Sequence, residues 1–219
     1  MSLDSEEKAM AKLDEVKELV IKGKKKLIAD AVNGALEEGN DAAAVLNTMI
    51  DAMGVIGEQF KNDEIFVPEM LVAARAMKAG VAELKPHLAQ GVAGALGKVV
   101  IGTVQGDLHD IGKNLVAMMI ESAGFEVIDL GSDVSAERFL EACESNPGVK
   151  IVALSALLTT TMSSMKDTIE LIKGSPCGKE IRFMIGGAPI TQEFADSIGA
   201  DAYTPDCASA AEVAKELAL

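Results

Sequence analysis

The sequence predicts an α/β chain in two parts, a bundle of about four helices followed by an open parallel sheet, and two observations carry that prediction. Between Ser5 and Leu88, alanine, leucine, methionine and charged residues recur at helical spacing with almost no strand pattern. After Lys98 the pattern changes to short β-branched runs alternating with amphipathic stretches, which suits parallel strands joined by crossover helices.

In the first part, Gly39-Asn40 and Lys61-Asn62-Asp63 are turn signals between helices. Pro68 suits the first turn of a helix running through Leu71, Met77 and Leu84, because its missing N–H is needed by no partner there, and Pro86 helps to stop that helix. Residues 91–97 are small and flexible, so they form a linker with the composition of a hinge. The predicted division is a helical bundle at 1–90, the linker at 91–97 and an α/β domain at 98–219. Strands are predicted at 99–104, 126–129, 151–154, 182–185 and 202–203, and helices at 111–123, 136–144, 162–173, 192–198 and 208–217. Five such units make a Rossmann-like (flavodoxin-like) sheet.

Composition narrows the function. The chain has 219 residues, 49% of them hydrophobic, which is ample for a core. A formal charge of −14, with no basic cluster beyond Lys22–Lys26, argues against nucleic acid and anionic membranes as partners. Cys143, Cys177 and Cys207 are odd in number and lack C-x-x-C spacing, so neither a disulfide framework nor a structural zinc site is expected, and a reducing cytoplasm fits. The first residues lack an apolar signal core and no run approaches the length of a membrane span. The glycines at 91–98 are spaced one residue too widely for a phosphate loop, precede a strand, and are followed by Val99 where a hydroxyl is needed. The turn after the first strand, Gln105-Gly106-Asp107-Leu108-His109, carries no dinucleotide fingerprint.

Three strand ends carry unusual loops, and in a parallel sheet all three lie on one edge and converge. The first is Asp107-Leu108-His109-Asp110-Ile111-Gly112, which holds one of the chain's two histidines. An imidazole there can coordinate a metal through one nitrogen if the other has an acceptor, and Asp107 is a candidate acceptor. The second is the hydroxyl-rich Ser155-Ala156-Leu157-Leu158-Thr159-Thr160-Thr161. The third is Gly186-Gly187-Ala188, where absent side chains let a bulky ligand lie against the backbone.

In order and spacing, Asp107-x-His109-x-x-Gly112, Ser155-x-Leu157 and Gly186-Gly187 resemble the three-part cobalamin-binding signature of the methionine synthase type. The resemblance implies that His109 replaces the cofactor's own base as the lower ligand of cobalt. It further implies that Asp107 holds the second ring nitrogen and that the Thr161 hydroxyl holds Asp107, at a position where methionine synthases carry serine. Gly106, Leu108, Asp110, Ile111 and Gly112 would complete the cofactor loop. Ser155, Leu157 and Thr159 would lie near the nucleotide tail, which Gly186 and Gly187 would admit and whose far end residues 203–208 would line. The stretch from Phe60 to Met70 resembles the helical cap beside that module, with Phe60, Val67 and Met70 at the positions that roof the corrin and shield the metal. Met49, Met53 and Met77 are expected to be ordinary core fillers.

A helical cap followed by a cobalamin domain is similar to the corrinoid methyl-carrier proteins of methylamine, methanol and betaine-type methyltransferase systems. That likeness implies a cytoplasmic carrier subunit, not catalytic by itself, whose cobalt takes a methyl group from one methyltransferase and yields it to another. The first partner would be substrate-specific, the second would act on tetrahydrofolate or coenzyme M, and a reductive activase would be a third. Release of His109 would be assisted by proton uptake through the His109, Asp107 and Thr161 relay, and the cap would swing about the linker. Two other readings share the histidine signature. The cobalamin subunit of an adenosylcobalamin-dependent mutase typically lacks the cap, and a cobalamin-dependent sensor would bring a DNA-binding module that this acidic chain does not offer.

Overall fold

A computed structural model describes residues 3–88 and 96–219 of the chain. Residues 91–95 of the predicted linker lie outside the described residues. The chain divides into two compact units, one of Met1–Ala95 with Ser122–Gly124 and the other of Leu96–Glu121 with Phe125–Leu219.

The first unit is built from α1 (Leu3–Ile21), α2 (Lys25–Glu37), α3 (Ala42–Lys61) and α4 (Val67–Leu84). Gly23 makes the break between α1 and α2 with φ +61°, and a Cβ there would sit 2.3 Å from Val72 Cγ1, so only glycine serves. The turn after α3 uses Asp63 in the left-handed region, φ 58°. At the start of α4, Pro68 occupies the first turn and the Glu69 carboxylate accepts the Phe66 N–H at 3.1 Å, satisfying a donor that the helix leaves free. α1 packs on α2 and α3, and α4 on α2 and α3. Ile28, Met49, Ile56, Met70 and Met77 are almost fully buried in this unit. Burial of each contributes about 1.5–3 kcal/mol relative to exposure.

The second unit alternates β1 (Lys98–Thr103), α5 (Ile111–Ser122), β2 (Glu126–Asp129), α6 (Ala136–Ser145), β3 (Val149–Ser155), α7 (Met162–Lys173), β4 (Arg182–Gly186), α8 (Gln192–Ile198), β5 (Ala202–Tyr203) and α9 (Cys207–Ala218). All pairings are parallel and the strand order is β2-β1-β3-β4-β5. β1, β3 and β4 are almost continuously apolar because helices cover both faces of such a sheet. Phe139, Phe183 and Ile169 anchor one core layer.

The predicted fold class holds, and most element ends fall within two residues of the prediction. β1 stops at Thr103 because Val104 leaves the ladder for an isolated bridge to Val134. α9 begins at Cys207 because the Asp206 carboxylate caps it, accepting from Ala208 and Ser209 N–H at 2.9 and 2.8 Å. Short 3-10 turns at Thr159–Thr161 and Cys177–Lys179 were not anticipated. The register aligns Thr103 with Ser155 and Ser155 with Gly186, so the three loops leave the sheet at one level. β1 and β3 flank the point where the strand order reverses, which is where open α/β sheets bind ligands. Among the described residues no helix is long and apolar enough to cross a membrane.

Candidate functional site

The loop after β1 is folded back by its own backbone. The Asp107 N–H donates to Val104 O at 3.1 Å, Gly106 takes φ +85°, and the buried Thr103 hydroxyl donates to His109 O at 2.8 Å. The result is an Asp107 side chain with no exposure and a His109 side chain 53% exposed, although the two are only two residues apart.

The Asp107 carboxylate gathers five donors. Its Oδ1 accepts the His109 N–H at 3.1 Å and lies 2.8 Å from His109 Nδ1. Its Oδ2 accepts the N–H groups of Leu157 and Leu158, at 2.7 and 3.1 Å, and the Thr161 hydroxyl at 2.9 Å. The same hydroxyl also lies 2.9 Å from Leu158 O. Thr161 reaches this position because the 3-10 turn swings it beneath the β3 loop, where it is buried. Burial pushes the Asp107 pKa up, but the Leu157 N–H, the His109 ring and the His109 and Leu158 N–H groups outweigh it and hold the carboxyl well below the usual carboxylate range. An ionised carboxylate only accepts, so the hydrogen-bond network assigns a proton to Nδ1, and in the neutral ring the lone pair is then on Nε2.

Around the imidazole, Leu108, Ile111, Leu157 and Leu158 are 73%, 78%, 42% and 40% exposed. Large apolar side chains gathered in this way mark a binding surface. Gly112, in the first turn of α5, has nothing within 4 Å of where a Cβ would be. Glycine disfavours a helix by about 1 kcal/mol, so with no packing reason for it the open space is what a side chain there would fill. Asp110 is exposed beside it, and Thr159 is exposed on the second loop. Ser155 is half-buried at the end of β3.

The third loop needs its glycines for close approach of the backbone. A Cβ at Gly187, φ +136°, would fall 1.9 Å from Ala156 O, and one at Gly186 would fall 3.0 Å from Thr204 O. The glycines let neighbouring backbone approach in the direction that a Cβ would take. In the helical unit Phe60 and Val67 are half-buried, whereas Met70 lies in that unit's core at 1% exposure.

Several contributors were missed from the sequence. Thr103 carries no motif signature, and the Leu157 and Leu158 N–H groups are backbone. Asp133, from the loop after β2, accepts the Gly106 N–H at 2.7 Å and donates its own N–H to Asp107 O at 2.9 Å. Lys113, 2% exposed, binds both Asp129 oxygens at 2.6 and 2.5 Å and Asn114 Oδ1 at 2.6 Å.

Among the described residues no three His, Cys, Asp or Glu side chains cluster as a metal cage. A single neutral imidazole nitrogen in an apolar ring suits a metal that brings most of its ligands with it, as cobalt in a planar corrin does, and does not suit a bare cation. Fold and site together define a corrinoid-binding α/β protein. The chain belongs to the B12-binding family: residues 97–214 match one B12 binding domain and residues 12–85 match a second. It is 38% identical to a corrinoid protein of Desulfitobacterium hafniense over 212 residues, 95% of this chain and 98% of that one. It is 40% identical to a dimethylamine corrinoid protein of Methanosarcina acetivorans over 207 residues, 94% of this chain and 97% of that one. The methanol:cobalamin methyltransferase complex of Methanosarcina barkeri contains a chain that superposes with a TM-score of 0.83 at 27% identity, covering 97% of this chain and 84% of that one. The cofactor is cobalamin or a related corrinoid.

Proposed function

We propose that this protein carries a methyl group on corrinoid cobalt between a substrate-specific methyltransferase and a second methyltransferase acting on tetrahydrofolate or coenzyme M, with a reductive activase as a third partner. The exposed His109 imidazole, with Nδ1 committed to buried Asp107, is the observation that carries this reading. The relatives named for dimethylamine and the structural match from a methanol:cobalamin complex support it. When bound, the corrinoid supplies a cobalt centre that accepts a methyl group from one molecule and gives it up to another.

In this reading His109 would hold the metal through Nε2. Asp107 and Thr161 fix its ring plane and tautomer, and Gly106, Leu108, Asp110, Ile111 and Gly112 form the loop under the macrocycle. Leu157 extends the apolar bed, while Ser155, Thr159, Gly186 and Gly187 follow the nucleotide tail. Phe60, Val67 and Met70 belong to a helical cap, residues 1–90, joined by a 91–97 linker to the cobalamin domain, 98–219. Asp107, held ionised beside Nδ1, would together with Thr161 stabilise positive charge developing on the His109 ring. Residence in the cytoplasm accords with such partners.

The test is the visible absorption spectrum of the purified chain mixed with hydroxocobalamin and desalted, set beside His109→Ala. Corrin bands should be retained by both, with the axial-ligand signature changed in the variant. Identical spectra would remove His109 from the metal.

A further inference from the structure

Asp133 belongs to the loop between β2 and α6, and its side chain is exposed, so the core does not need it. Yet its backbone is left-handed, φ 55°, one of two non-glycine cases among the described residues. From that conformation it grips the peptide groups on either side of the Gly106–Asp107 link. Its Oδ1 accepts the Gly106 N–H at 2.7 Å, and its own N–H donates to Asp107 O at 2.9 Å. On the opposite side a Cβ at Gly106 would lie 3.3 Å from Thr161 Cγ2, so the link is enclosed from there as well. The following residue, Val134, donates its N–H to Thr103 O at 3.0 Å, which anchors Asp133 against the end of β1.

Held at both ends, the Gly106–Asp107 segment has its backbone direction fixed, and with it the direction of the Asp107 Cα–Cβ bond. Asp107 must aim inward to meet Leu157, Leu158 and Thr161 with one oxygen and His109 with the other. A bond to a charged acceptor is about twice as strong as a neutral one, and Asp133 supplies such an acceptor. We infer that Asp133 is a positioning residue of the corrinoid site: it holds the backbone on both sides of the Gly106–Asp107 link, and through Asp107 it sets the plane of the His109 ring. The inference rests on His109 being the axial ligand.

The experiment compares wild type, Asp133→Gly, Asp133→Asn and His109→Ala as full chains reconstituted with hydroxocobalamin. It reads the axial-ligand absorption signature together with the melting temperature of the cofactor-free protein. Glycine keeps the left-handed backbone and removes the carboxylate, whereas asparagine keeps an oxygen at the same place. Asp133→Gly should melt close to wild type and retain the corrinoid, with axial association weakened about tenfold toward the His109→Ala signature, the low end of the loss for outer-shell partners. Asp133→Asn should recover most of that signature. A wild-type signature in Asp133→Gly overturns the inference. An Asp133→Gly chain that fails to fold overturns it too, because the bond would then serve the fold. If His109→Ala itself keeps the wild-type signature, the axial-ligand reading falls instead, and the spectra tell the two failures apart.

Discussion

A single buried carboxylate organises the His109 loop. Asp107 has its folded pKa lowered, so it stabilises the fold above the ordinary aspartate value of about 3.9, and that contribution fades as pH falls further, toward the folded value. Asp107→Asn should destabilise the cofactor-free protein by about 3 kcal/mol at pH 7, since an amide cannot accept from all five donors and hydrogen bonds to charged groups are the stronger ones. Urea titrations of both chains should show the gap narrowing below about pH 4; a gap that stays constant down to pH 3 would contradict this assignment. Much of the cluster is legible in the sequence because Asp107 and His109 are two positions apart within one motif. Thr161 is 54 positions away and was reached only through the family pattern. The Leu157 and Leu158 amides and the Asp133 bracket were not legible, because a backbone donor has no side-chain signature and a left-handed aspartate resembles any loop residue.

Secondary-structure elements were legible where their ends are capped by chemistry. α8 runs from the Thr191 cap, whose hydroxyl accepts the Phe194 N–H at 3.2 Å, to Gly199 in the left-handed region, and both residues are conspicuous in the sequence. β3 starts earlier than predicted because Val149 pairs with Lys98 beyond Lys150, which breaks the apolar run and is skipped by a register shift. The first turn of α5 is tied to the end of β2 by Lys113 and Asp129, a link that no spacing rule reveals. Lys113→Ala should cost about 2 kcal/mol in urea denaturation, below the 3–5 kcal/mol of a fully buried pair because Asp129 can still reach water. Lys113→Met, which keeps the volume and buries no charge, should be milder; equal losses for the two variants would remove the distinction.

Across the whole molecule the fold class was legible because each half keeps its own period, about 3.6 residues in the first and strand–helix alternation in the second. What the halves do together was legible only through motifs, since neither periodicity nor charge names a cofactor. The formal charge of −14 has a consequence of its own. Self-repulsion weakens the compact state, so the melting temperature of the cofactor-free protein should rise between roughly 0.01 and 0.15 M sodium chloride, as the screening length falls from about 30 to 8 Å. Calorimetry at the two salt concentrations checks this, and a falling temperature would mean that attractive ion pairs dominate instead.

The five donors on Asp107 come from two chain segments half a hundred residues apart, joined only when β1 and β3 lie side by side. Assembly of the site therefore depends on non-local pairing: a chain in which β1 and β3 are apart has the histidine but not the ring orientation. On the proposed role of His109, firm uptake of a corrinoid would report that the two middle strands have found their register.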